Sequence, residues 1–95
     1  MKREDIERIL REQKYYLSEN YYVEKIGIFG SYARNEQSNE SDIDILVVFS
    51  RPVGFKFIDL KDYLESLFKK PIDLVTENAL KPYMKDDILS EVLYQ

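Results

Sequence analysis

Cysteine and histidine are both missing from this 95-residue chain. Without cysteine there is no disulfide framework and no thiolate metal site; without histidine there is no imidazole base and no usual zinc ligand. Oxygen ligands and carboxylate chemistry remain, which favours Mg²⁺, Mn²⁺ or Ca²⁺ over zinc if a metal is bound. A long apolar run is also lacking. The N-terminus, Met-Lys-Arg-Glu-Asp-Ile-Glu-Arg, is charged and leads into none, so neither a signal peptide nor a membrane span is expected and the cytoplasm is the default setting. Nor is positive charge in excess: 14 Lys and Arg stand against 18 Asp and Glu, a net charge of −4 with both signs mixed along the chain. That balance argues against a broad nucleic-acid surface and leaves room only for a local basic patch. Repeats, low-complexity tracts and internal linkers are absent.

What is present suffices for one core. A hydrophobic content of 44%, with eight tyrosines and five phenylalanines, predicts a single domain over residues 1–95 that folds without staples. Ile6, Ile9, Leu10 and Leu17 fall at helical spacing in a charged stretch, predicting an amphipathic helix from Glu4 to about Asn20. Val23 to Phe29 reads as a strand running into a turn at Gly30-Ser31, and Asn35 to Ser41 as a polar loop. Ile43 to Phe49, almost wholly apolar, has the pattern of a central strand buried on both faces. Phe57, Leu60, Leu64, Leu67 and Phe68 predict a second helix ending before Pro71, and Ile72 to Thr76 a short strand. Asn78 can cap a last helix with Pro82 in its first turn and Leu80, Met84, Ile88, Leu89, Val92 and Leu93 on its apolar side. The order α-β-β-α-β-α predicts an α/β (α+β) domain, a small mixed sheet with covering helices.

Three features carry chemistry. At Gly30-Ser31, glycine lets the backbone approach a phosphate and the serine hydroxyl adds a donor; taken alone, the same residues are more often a plain turn with a serine N-cap. In Ser41-Asp42-Ile43-Asp44, strand alternation places Asp42 and Asp44 on one face, about 6 to 7 Å apart, which is unfavourable without a cation between them. The plainer alternative is a solvated strand entrance, with Asp42 turning on its own backbone. Asp73 is a lone carboxylate in an apolar run, Pro71-Ile72-Asp73-Leu74-Val75; buried, it needs a cation or donors, and otherwise it marks an edge strand. If its strand lies beside that of Asp44, the three carboxylates converge.

Their order matters more than any one of them. Gly30-Ser31-Tyr32-Ala33-Arg34 followed by Ser41-Asp42-Ile43-Asp44 resembles the signature of the DNA polymerase beta-like nucleotidyltransferase superfamily. Within it, the short chain resembles the minimal nucleotidyltransferase (MNT) group, antitoxins found beside HEPN toxins. The resemblance covers nearly the whole chain, including Asp73 and the closing helix, and implies a polymerase beta palm-like fold. One departure is Asn35, where the group has glycine; asparagine tolerates the left-handed conformation, so the turn is expected to be kept. The resemblance implies that Asp42, Asp44 and Asp73 are the catalytic and metal-binding residues, holding two Mg²⁺ (or Mn²⁺) ions. It implies that Gly30, Ser31 and Arg34 bind the nucleotide, that Asp73 orients or deprotonates the attacking hydroxyl, and that pyrophosphate leaves. For Arg34 an ion pair with Glu36 or Glu40 is the plain alternative.

Once the catalytic sheet and its helices are counted, no residues remain for an acceptor-binding domain, so the acceptor must be small or presented by a partner. The resemblance implies ATP as donor and a tyrosine of a HEPN toxin as acceptor, AMPylation silencing that toxin's RNase activity in a type VII-like toxin–antitoxin pair. Other readings remain open at this level: an antitoxin that blocks its partner sterically, transfer to a small molecule or an RNA end, or a Ca²⁺-binding module, although the spaced glycine and terminal glutamate of an EF-hand are lacking. Tyr15, Tyr16, Tyr21, Tyr22, Phe55, Tyr83 and Tyr94 exceed what a small core needs, which suits a homo- or hetero-oligomeric interface as well as the rim of the core.

Overall fold

A computed structural model describes residues 1–95. Helix α1 spans Arg3–Tyr21, strand β1 Val23–Phe29, a one-turn helix α2 Gly30–Ala33 and strand β2 Ile43–Phe49. Helix α3 spans Lys56–Phe68, strand β3 Ile72–Thr76, a 3₁₀ turn Glu77–Ala79, helix α4 Pro82–Glu91 and strand β4 Leu93–Tyr94. No helix is long and apolar enough to cross a membrane.

The helix ends follow from local chemistry. The Asp5 carboxylate accepts the Lys2 N–H at 3.1 Å at the start of α1, and Tyr22, at φ 57, closes it by donating to the Leu17 and Ser18 carbonyls. Lys69, at φ 55, closes α3 in the same left-handed way, just before Pro71, which cannot continue a helix.

The four strands form one mixed sheet in the order β3-β2-β1-β4. β1 is antiparallel to both β2 and β4, whereas β2 and β3 are parallel and are joined by α3 as the crossover. Strand alternation sorts the side chains. Ile26, Ile28, Ile43, Ile45, Val47, Ile72 and Leu74 face α1 and α3 and pack with Ile6, Leu10, Leu17, Leu60, Leu64 and Phe68. Phe29 and Leu46 lie on the other face under Ile88 of α4. Asp44 and Asp73 therefore share this second, thinly covered face, because each is one residue out of phase with the main core.

Two sequence expectations are corrected and one alternative is decided. Asn78 does not cap the last helix: it lies in the 3₁₀ turn, and Lys81 is the N-cap with Pro82 at the first position. Leu93 is not helical: Val92 is extended at φ −64, ψ 135, and Leu93–Tyr94 add a fourth strand beside Gly27 and Ile28, a pairing too short to leave a periodic signal. For Asp73, where the sequence leaves burial and an edge-strand position both open, the structure gives the second: it is exposed on β3, an edge strand of the sheet.

The surplus aromatics divide between packing and exposure. Tyr16, Tyr21 and Tyr63 stack at centroid separations of 5.2 to 6.2 Å, and the Arg51 guanidinium lies 3.7 Å over the Tyr22 ring. Tyr15, Phe55 and Tyr83 stand exposed.

Gly27 shows how closely β4 is docked. A Cβ there would lie 2.7 Å from the Leu93 carbonyl oxygen, a backbone atom that cannot swing aside. Gly27→Ala is expected to detach β4 and destabilise the domain by about 1 to 3 kcal/mol, read as a lower urea midpoint; an unchanged midpoint would mean that β4 contributes nothing.

Candidate active site

The site is assembled at the junction of β1, α2 and β2. At the end of β1 the chain reverses at Gly30, whose φ of 72 lies in the left-handed region, and a Cβ there would come 2.1 Å from Asp44 Oδ2. Glycine is demanded twice, by conformation and by the approach of a carboxylate. Tyr32, 1% exposed, and Ala33 anchor α2 in the core, leaving Ser31 half-buried and Arg34 exposed. α2 begins at Gly30 with Phe29 as its N-cap, so Ser31 is not a capping serine. Asn35, at φ 58, takes the left-handed position expected of it, and the Glu36 N–H donates to the Ser31 carbonyl at 2.8 Å.

Asp42 and Asp44 arrive from the other side. The Ser38 N–H donates to Ser41 Oγ at 2.9 Å, closing the polar loop, and the Ile43 N–H donates to the Pro71 carbonyl at 3.1 Å, starting the β2–β3 pairing. The start of β3 is fixed by Glu65 of α3, which accepts the Ile72 N–H at 3.1 Å. That bond, with Lys61 beside it, holds the Glu65 carboxyl below its ordinary value. In the resulting register Asp44 lies opposite Asp73 on β3 and opposite Phe29 on β1. Asp42 immediately precedes β2 and is exposed, whereas Asp44 is half-buried.

Asp44 is the electrostatic centre. Burial first, then the Asp73 charge, a hydrogen bond with the Asp73 carboxyl and the Asp42 charge push its pKa up to about 6, with Arg34 opposing. A carboxyl whose charge is disfavoured by burial and by two neighbouring carboxylates has the donor chemistry for a hard divalent cation, which can supply the missing counter-charge. Asp42, Asp44 and Asp73 have the donor type for such an ion, and Asp44 and Asp73 are register partners on adjacent strands, although no three acidic side chains are gathered as a ligand set. The site is an open face rather than a cleft: the larger recess of the molecule lies at the opposite end of β2, around Phe49, Arg51, Thr76 and Glu77.

Arg34 engages the plain ion pair foreseen with Glu36, at 3.0 Å, and not one with Glu40. It also makes a second, shorter contact, 2.7 Å from Glu91 Oε1 at the end of α4. The same oxygen accepts the Gly30 N–H at 2.5 Å. Sequence reasoning missed Glu91, and no signal could have found it: it is 61 residues from Gly30 and one acid among several on its helix.

Residues 10–94 match the family model described as the nucleotidyltransferase domain. The chain is 46% identical over 92 residues to the protein adenylyltransferase MntA of Thermococcus cleftensis, covering 96% of this chain and 93% of that one. It superposes on the structure of a minimal nucleotidyltransferase with a TM-score of 0.79 and 33% identity, covering 98% of this chain and 95% of the other. A more distant match in fold, with a TM-score of 0.63 and 19% identity over 92% of this chain and 69% of the other, is the complex of a tri-AMPylated Shewanella oneidensis HEPN toxin with an MNT antitoxin.

Proposed function

Since this chain belongs to the nucleotidyltransferase domain family, we propose that it transfers AMP from ATP to a tyrosine of a HEPN-type partner protein and thereby acts as that partner's antitoxin. The observation that carries the reading is the in-register pair Asp44 and Asp73, set against the Gly30 turn, with Asp44 raised above the usual carboxylate range by burial and by its acidic neighbours. The names of its relatives agree: one is a protein adenylyltransferase, and a structural neighbour is an antitoxin bound to an AMPylated HEPN toxin.

In this reading Gly30, Ser31 and Arg34 bind the outer phosphates of the triphosphate, with glycine allowing close approach and arginine supplying paired donors. Asp42, Asp44 and Asp73 would hold Mg²⁺, with Mn²⁺ as an alternative; when bound, it neutralises charge on the phosphates and on the leaving pyrophosphate. Asp73, exposed on the edge strand, is open to an incoming side chain and takes the phenolic proton. The phenolate oxygen forms its bond to the α-phosphorus as the α–β anhydride bond breaks, and pyrophosphate departs. The acceptor tyrosine comes from the partner and approaches the open edge strand that carries Asp73.

Incubation with ATP labelled at the α-phosphate, Mg²⁺ and the cognate HEPN protein is expected to place label on a partner tyrosine and to silence its RNase activity. Label on a small molecule or an RNA end instead would overturn the choice of acceptor. Full silencing by the Asp42→Asn, Asp44→Asn double variant would indicate steric blocking rather than transfer.

A further inference from the structure

The hydrogen bonds of Glu91 are unusual for the end of a surface helix. Its Oε1 accepts two charge-relevant donors at once, the Gly30 amide at 2.5 Å and the Arg34 guanidinium at 2.7 Å. These are two of the groups assigned above to the triphosphate, and the carboxylate satisfies them as a phosphate oxygen would. We propose that Glu91 is an affinity-determining residue of the nucleotide site, an internal anion that competes with the triphosphate for Gly30 and Arg34 and must withdraw before nucleotide binds. The inference rests on the function proposed above and adds to it a residue from the far end of the chain.

Glu91 is well placed for this role. Its side chain keeps 25% of its surface exposed, so rotation about its own bonds can carry the carboxylate into solvent. The helix behind it is lightly held, with Ile88 its only buried residue. Val92, next in the chain, is extended and leads directly into β4, so the backbone at Glu91 stays tethered while the carboxylate moves. A withdrawn Glu91 still stands near the phosphates with like charge, so it lowers affinity in both positions.

Glu91→Gln keeps the shape and an oxygen acceptor for Gly30 but removes the charge. It is expected to tighten ATP binding in the presence of Mg²⁺ by about tenfold, the factor one hydrogen bond to a charged group carries, and to tighten inorganic tripolyphosphate binding by a similar factor. Adenosine, which has no phosphates, should bind the variant and the parent alike. Glu91→Ala, checked for folding by its circular dichroism spectrum, should behave as Glu91→Gln does. If ATP binds the parent and both variants equally, or the variants more weakly, Glu91 only holds α4 in place and the inference fails while the proposed function stands. If no form binds ATP or tripolyphosphate, the assignment of Gly30 and Arg34 to the triphosphate fails, and this inference with it.

Discussion

Asp44→Asn is expected to reduce nucleotidyl transfer by about a thousandfold or more and, in the same protein, to raise metal-free stability at neutral pH. Both effects come from one environment. Burial and the charges of Asp73 and Asp42 lift the Asp44 pKa from 3.8 to about 6, so at pH 7 the carboxylate is ionised where the fold disfavours its charge. The native state therefore holds a proton through a pH range where the unfolded chain has released it. This group's contribution to stability is full below about pH 4 and falls as pH rises to about 6. Asparagine never ionises and escapes the loss. The full shift corresponds to about 3 kcal/mol; because Asp44 is only half-buried, solvent screening reduces the expected gain to about 1 to 2 kcal/mol.

For a domain of this size that gain is a rise in Tm of roughly 4 to 16 °C, present at pH 7 and vanishing towards pH 4. Added Mg²⁺ should stabilise the parent more than the variant, since it supplies the missing counter-charge to Asp44. Transfer that persists in Asp44→Asn would overturn the assigned chemistry. A Tm difference that is the same at pH 4 and pH 7 would overturn its electrostatic explanation.

Gly30→Ala is the second large effect. The new methyl would meet Asp44 Oδ2 at 2.1 Å and Asp44 Cγ at 2.9 Å, on a backbone whose φ of 72 already disfavours a side chain. The left-handed strain costs about 1 to 2 kcal/mol. The clash must be relieved by displacing the Asp44 carboxylate, the group on which the site depends. A shift of an ångström in a reacting geometry lowers turnover about a hundredfold, and a loss of that order is expected with the fold retained. Gly54→Ala separates the two causes. Gly54 also has a positive φ, of 54, but nothing lies within 4 Å of its would-be Cβ. It should lose stability by a similar amount and leave transfer intact. Equal loss of transfer in both variants would mean that backbone strain, not displacement of Asp44, is responsible.

Much of this molecule is legible residue by residue. Strands β1, β2 and β3 begin and end where runs of β-branched and aromatic side chains do, because such runs bury cleanly on a pleated surface. The ends of α1 and α3 lie within one residue of their apolar periodicity, Arg3–Tyr21 against the expected Glu4 to Asn20 and Lys56–Phe68 against Phe57 to Phe68. Asp44 could be seen to face away from Ile43 and Ile45 because alternation along a strand is a local property. The pairing of Asp44 with Asp73 was only conditional, since nothing in either segment states which strands are neighbours.

The remainder depends on contacts between distant segments. Whether Asp73 is buried follows from β3 lying at an edge of the sheet, and β4 exists because Gly27, far earlier in the chain, leaves room for the Leu93 backbone. Glu91 reaches Gly30 and Arg34 only because α4 crosses the carboxylate face on Ile88. Periodicity and turn chemistry act over a few residues and so dictate the elements and the direction of each side chain. Sheet order, edge exposure and the anion seated on the Gly30 turn are set by packing across dozens of residues, which local preference does not encode.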